Sequence, residues 1–157
     1  MEPDLTAGLD PPAPPDSRSP PGRVAALDLG TRRIGVAIAD ELLMTVRPLG
    51  VIASVGPKRD AKALADMLAG LDVGLLVIGL PLLDSGDEGE SAARARTQGD
   101  DLARRLRIRH EYFDESDTTL EAQRLLRDGR SSAPVDALAA ALILEEWIER
   151  RGGRSAG

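Results

Sequence analysis

The 157-residue chain has no cysteine, which excludes disulfides and thiolate metal sites. That absence agrees with a reducing cytoplasm, the compartment expected here. One Trp, one Tyr and one Phe are too few to build platforms on which single-stranded bases stack. No apolar run is long enough to span a bilayer, so no membrane association is expected. The start, Met1-Glu2-Pro3-Asp4, lacks the basic and then apolar run of a secretory signal. Acidic residues outnumber basic ones, 26 to 20. The net charge of -6 argues against a protein that coats nucleic acid non-specifically, while leaving room for a local basic patch. Eighteen of the 20 basic residues are Arg, the better bidentate phosphate binder.

The length suits one ordinary domain with tails. Residues 1–22 read as a disordered proline-rich tail, because Pro11-Pro12-Ala13-Pro14-Pro15 and Pro20-Pro21-Gly22 can join neither helix nor sheet ladder. Residues 23–150 read as the folded domain and 151–157 as a flexible C-terminus. Val24 to Leu29 and Ile34 to Ala39 are apolar runs joined by Gly30-Thr31-Arg32-Arg33, which predicts an antiparallel hairpin. Leu49 to Ala53 follows as a third strand. A helix over 58–70, a buried strand over Val73 to Gly79, a helix over about 90–106 and a strand over Ile108 to Phe113 come next. Thr118 and Glu121 have capping-box spacing for a helix ending at Gly129, and Pro134 opens a last helix.

Three acidic positions fall at the ends of these elements. Asp28 closes an otherwise apolar strand, where a bare carboxylate is costly unless something satisfies it. Asp114 and Glu115 follow the strand ending at Phe113, as site residues or as turn residues. Asp136 lies in the first turn of the last helix, in register with Ala139, Ala140, Ile143 and Leu144; it faces inward or complements the helix dipole. Ends of parallel strands are where α/β sheets bind ligands. Carboxylates gathered there repel one another unless a cation lies between them. Oxygen-only ligation suits Mg²⁺ or Mn²⁺, and two such ions about 4 Å apart can activate water against a phosphodiester.

Asp28-Leu29-Gly30-Thr31-Arg32-Arg33-Ile34-Gly35-Val36-Ala37, Gly79-Leu80-Pro81-Leu82, Asp114-Glu115 with Thr118-Thr119, and Val135-Asp136-Ala137-Leu138-Ala139-Ala140 occur in that order. Together, with Arg47-Pro48 after the second strand, they resemble the YqgF/RuvX family from about Arg23 to Trp147. The resemblance implies a ribonuclease H-like α/β fold related to the RuvC Holliday junction resolvases. Its five-stranded mixed sheet has three antiparallel strands, then two parallel ones, flanked by helices. It implies a metal-dependent nuclease that trims the 16S rRNA precursor or resolves branched DNA. Asp28, Glu115 and Asp136 fill the metal-ligand positions, with Asp114 as an alternate. Gly30, Thr31 and Gly35 match the tight turn beside them, and Gly79, Leu80 and Pro81 match the loop after the fourth strand. The family often forms dimers, so a homodimer is a candidate state.

Two departures stand out. The family's Asp-Glu-Arg is Asp114-Glu115-Ser116 here, and a Lys usual before the last Asp is absent from Ser131-Ser132-Ala133-Pro134. They motivate an alternative, an inactive nucleic-acid- or ribosome-binding module of the same fold. Asp28-Leu29-Gly30-Thr31 also resembles the phosphate loop of actin-like ATPases, although those clamp ATP between two such domains. Candidate substrate contacts are Thr31, Arg32, Arg33 and Arg47. Arg94 and Arg96 read as solvated, and His110 as structural.

Overall fold

The computed structural model describes residues 22–83, 85–115 and 133–151, Glu115 by its backbone alone. The tail up to Pro21, the helix expected from Thr118 and the residues after Arg151 lie outside the described residues. β1 (Arg23–Leu29) and β2 (Arg33–Ala39) form the expected hairpin, and β2 pairs antiparallel with β3 (Val46–Ala53). α1 (Pro57–Leu68) leads to β4 (Val73–Pro81), parallel to β1, and α2 (Glu90–Leu106) leads to β5 (Arg109–Glu115), parallel to β4. α3 (Val135–Arg150) follows. The order across the sheet is β3-β2-β1-β4-β5, so the expected mixed sheet is present, with β1 at its centre.

Strand alternation divides the core into two layers. Ala25, Leu27, Leu29, Leu76, Ile78 and Leu80 pack against Leu64 and Leu68 of α1 and Leu102 of α2. Val24, Ala26, Leu75, Val77 and Phe113 pack against Ile143, Leu144, Trp147 and Ile148 of α3. β1 and β4 are thus covered on both sides, which is why they read as continuous apolar runs. The single Trp resolves its polar edge by donating from Nε1 to Glu111 Oε1 at 3.0 Å.

Three strand boundaries differ from the sequence reading. β3 starts at Val46, so Arg47 and Pro48 lie within it; β3 is an edge strand with an irregular register between Val36 and Ala37, where proline is tolerated. β4 runs on through Leu80 and Pro81, which pair with Asp114 and Glu115. Those two acids are therefore the last residues of β5 and not a turn after it. Their charge suggested a turn, but the β4 edge offers a ladder that outweighs it.

One carboxylate is buried without belonging to the expected site. Asp60, in the first turn of α1, accepts from Ser54 Oγ at 2.7 Å and from the Val55 amide at 2.8 Å. These bonds fasten α1 to the end of β3, where Gly56 offers no side-chain cap. Asp60→Ala strands that amide and hydroxyl and is expected to lower stability by about 2 kcal/mol, read as a lower urea midpoint with unchanged m.

Candidate active site

The alternation that sends Val24 and Ala26 toward α3 sends Asp28 the same way. Asp28 pairs with Gly35 across the hairpin. At Gly35 the α3 backbone presses directly on β2: a Cβ there would lie 2.0 Å from the Asp136 carbonyl oxygen. A residue without a side chain is what lets the first turn of α3 approach, and it brings Asp136 beside Asp28. The intervening loop is tight, with the Gly30 amide donating to the Arg33 carbonyl at 2.8 Å.

The electrostatics follow from this placement. Burial pushes the Asp28 carboxyl up from an ordinary 3.8 to about 6, and repulsion from Asp136 adds to the rise. Among the described residues no hydrogen-bond donor reaches its oxygens. Asp136 differs: Arg33 Nε donates to its Oδ2 at 3.0 Å, in a pair with side chains 63% and 30% exposed. A desolvated carboxylate lacking a donor, next to a second carboxylate, is a donor set suited to a hard divalent cation. Among the described residues these two are not joined by a third acid or imidazole.

The remaining expected site residues divide. Thr31 and Arg32 are exposed on the turn beside Asp28. Asp114 is exposed and shares strand parity with His110 and Tyr112, whose partners lie on α2. It therefore belongs to the sheet face opposite Asp28. Position 115 shares backbone parity with Phe113, which packs toward α3. Arg47 is not brought to this site. It pairs with Ile38, and Ile38 pairs with Ala25, three residues or about 10 Å along β1 from Asp28.

Some interactions escaped the sequence reading. Arg94 is half-buried, donating to Gln98 Oε1 at 3.0 Å and reaching the Leu29 carbonyl at 3.4 Å, so it is no solvated arginine. Arg96 forks onto Glu88 at 2.9 and 2.7 Å. His110 Nε2 lies 2.8 Å from Asp100 Oδ1, a partner acid ten residues away on α2. Behind Thr31, on the α1 and α2 side, lies a cleft of about 480 Å³ bordered by Asp60, Arg94, Thr97 and Gln98. It backs onto the hairpin turn and is separated from Asp28 by the sheet.

Comparison with known proteins agrees with this geometry. The family model described as RuvX, Holliday junction resolvase, matches residues 22–150. A protein of Anaeromyxobacter sp. (strain Fw109-5), provisionally named pre-16S rRNA nuclease, is 43% identical over 82% of this chain and 98% of its own length. One from Koribacter versatilis (strain Ellin345) with the same provisional name is 37% identical over 83% of this chain and 89% of its own. Among solved structures, Thermus thermophilus RuvC superposes with a TM-score of 0.53 at 15% identity, covering 83% of this chain and 97% of that one. That likeness establishes the ribonuclease H-like fold. The chain belongs to the RuvX Holliday junction resolvase family.

Proposed function

We propose that the protein is a divalent-metal-dependent nuclease whose site is built on Asp28, Asp136 and Glu115. It is a hydrolase of nucleic-acid phosphodiester bonds, acting in maturation of the 16S rRNA precursor, as its relatives' names suggest, or on branched DNA. The observation that carries this reading is the half-buried Asp28 carboxylate, without a donor among the described residues, beside Asp136 at the end of the central strand. Nothing in folding alone requires that arrangement, which costs stability.

Mg²⁺ or Mn²⁺ held there supplies Lewis-acid stabilisation of phosphate charge and a more acidic water. Asp28 and Asp136 supply the oxygen ligands, and Glu115 supplies a third from the end of β5. The family resemblance gives Glu115 that role, with Asp114 as the alternate. Thr31, Arg32 and Arg33, on the turn next to the carboxylates, face the substrate backbone; Arg47 is too far along the sheet to join them. Three aromatic residues against 20 basic ones support recognition of shape and backbone over base stacking. Among the described residues no helix is long and apolar enough to cross a membrane. A homodimer is the candidate assembly that the family resemblance implies.

The substrate test offers the purified protein a 16S rRNA precursor and a four-way DNA junction, with Mn²⁺ and with chelator. Cleavage of the precursor that disappears with chelator is expected. Ser116, standing where the family has Arg, favours a second reading in which binding survives without chemistry. Binding to either nucleic acid with no cleavage at low salt would select that inactive module.

A further inference from the structure

Arg33 and Asp136 are separated by 103 residues, yet Arg33 Nε meets Asp136 Oδ2 at 3.0 Å. The Arg33 backbone is fixed by its carbonyl, which accepts from the Gly30 amide, and by pairing with Ala53. Its side chain is 63% exposed. An ion pair this open to water is weak enough to exchange partners. Asp28, the neighbouring carboxylate, has no such counterion among the described residues.

We propose that Arg33 is a displaceable counterion, which neutralises Asp136 in the cation-free protein and turns to the substrate phosphate once a divalent cation is held by the carboxylates. The inference rests on the nuclease reading of the site and assigns Arg33 two successive partners. The charges give the reason. Ionised Asp28, Asp136 and Glu115 with Arg33 carry two net negative charges, and a divalent cation brings that sum to zero while placing two positive charges beside the guanidinium. Arg33 is then repelled by the ion that shares its carboxylate, while an incoming phosphate attracts it. A guanidinium is suited to this transfer, since its fork meets carboxylate and phosphate with the same geometry. The turn that carries it also carries Thr31 and Arg32, so the released side chain stays at the mouth of the site.

Arg33 should therefore oppose cation binding and favour substrate binding, two effects of opposite sign. Calorimetric titration of Mn²⁺ into the protein without nucleic acid, well above pH 6, measures the first. Arg33→Gln is expected to tighten Mn²⁺ binding about three- to tenfold, because a competing positive charge is gone. In cleavage assays the same variant is expected to raise KM about tenfold, with Arg33→Lys recovering part of the loss. Unchanged or weaker Mn²⁺ affinity in Arg33→Gln would overturn the inference alone. No Mn²⁺ binding by the wild type would overturn the nuclease reading beneath it. A measurement without any variant guards against misfolding: the Arg33 Nε–H resonance should shift and exchange faster with solvent as Mg²⁺ is added. A resonance unmoved at saturating Mg²⁺ would contradict the exchange of partners.

Discussion

Asp28→Asn is expected to make the cation-free protein more stable while removing its activity. The wild-type carboxyl, raised from 3.8 to about 6, is harder to ionise in the folded state than in the unfolded chain. Between those values the folded protein binds more protons, so stability falls as pH rises from about 4 to 6 and stays low above it. At neutral pH ionised Asp28 costs about 2 to 3 kcal/mol. Asn removes the charge and the repulsion from Asp136 with little change of volume. Its melting temperature should exceed the wild type's by roughly 5–10 °C at pH 7, a gap that closes toward pH 4. Saturating Mn²⁺ should stabilise the wild type far more than the variant. A variant less stable than wild type at pH 7 without cation would show that Asp28 is structural.

Gly35→Ala is the second large effect. The added carbon would fall 2.0 Å from the Asp136 carbonyl oxygen and 2.4 Å from its carbon, both backbone atoms that no rotamer can move aside. Either α3 lifts from β2 or the hairpin bends, at a cost of about 1–3 kcal/mol. Because α3 carries Asp136, the shift also separates the two carboxylates. A displacement of about 1 Å can cost a hundredfold in rate, so kcat should fall by roughly that factor in protein that remains folded. Ala at Gly50 is the comparison: its Cβ would meet only the flexible Met67 side chain, at 3.2 Å, and it should leave kcat nearly unchanged.

How much of this was legible in the sequence depends on the range of each interaction. The five strands followed from apolar runs that need only their own neighbours to be recognised, while the mixed sheet was implied by the family resemblance. Asp28 stood out because a charge within such a run is anomalous wherever the strand packs. The spacing of Asp136 against Ala139, Ala140 and Ile143 correctly put α3's first turn toward the sheet. What stayed hidden depends on distant partners. A carboxylate in a helix's first turn reads as a dipole partner, and only Ser54 and Val55 reveal Asp60 as a buried anchor. Asp100 and His110 lie on different elements, and Arg33 and Asp136 are separated by most of the domain. Arg47 matched a motif by order along the chain, but strand register carried it away from the site.

The same logic separates the two acids at the end of β5. The family resemblance gave Glu115 the ligand position with Asp114 as an alternate, and successive strand residues face opposite sides of a sheet. With His110 and Tyr112 turned to α2, Asp114 belongs to that side. Asp114→Asn should accordingly be mild, within about threefold of wild-type kcat/KM, and Glu115→Gln severe.

The most direct measurement compares wild type and Asp28→Asn in single-turnover cleavage of a 16S rRNA precursor with Mn²⁺, after both are shown to be folded by circular dichroism. A cation-dependent nuclease built on Asp28 predicts at least about a thousandfold slower cleavage by the variant. Equal rates for the two proteins would contradict it.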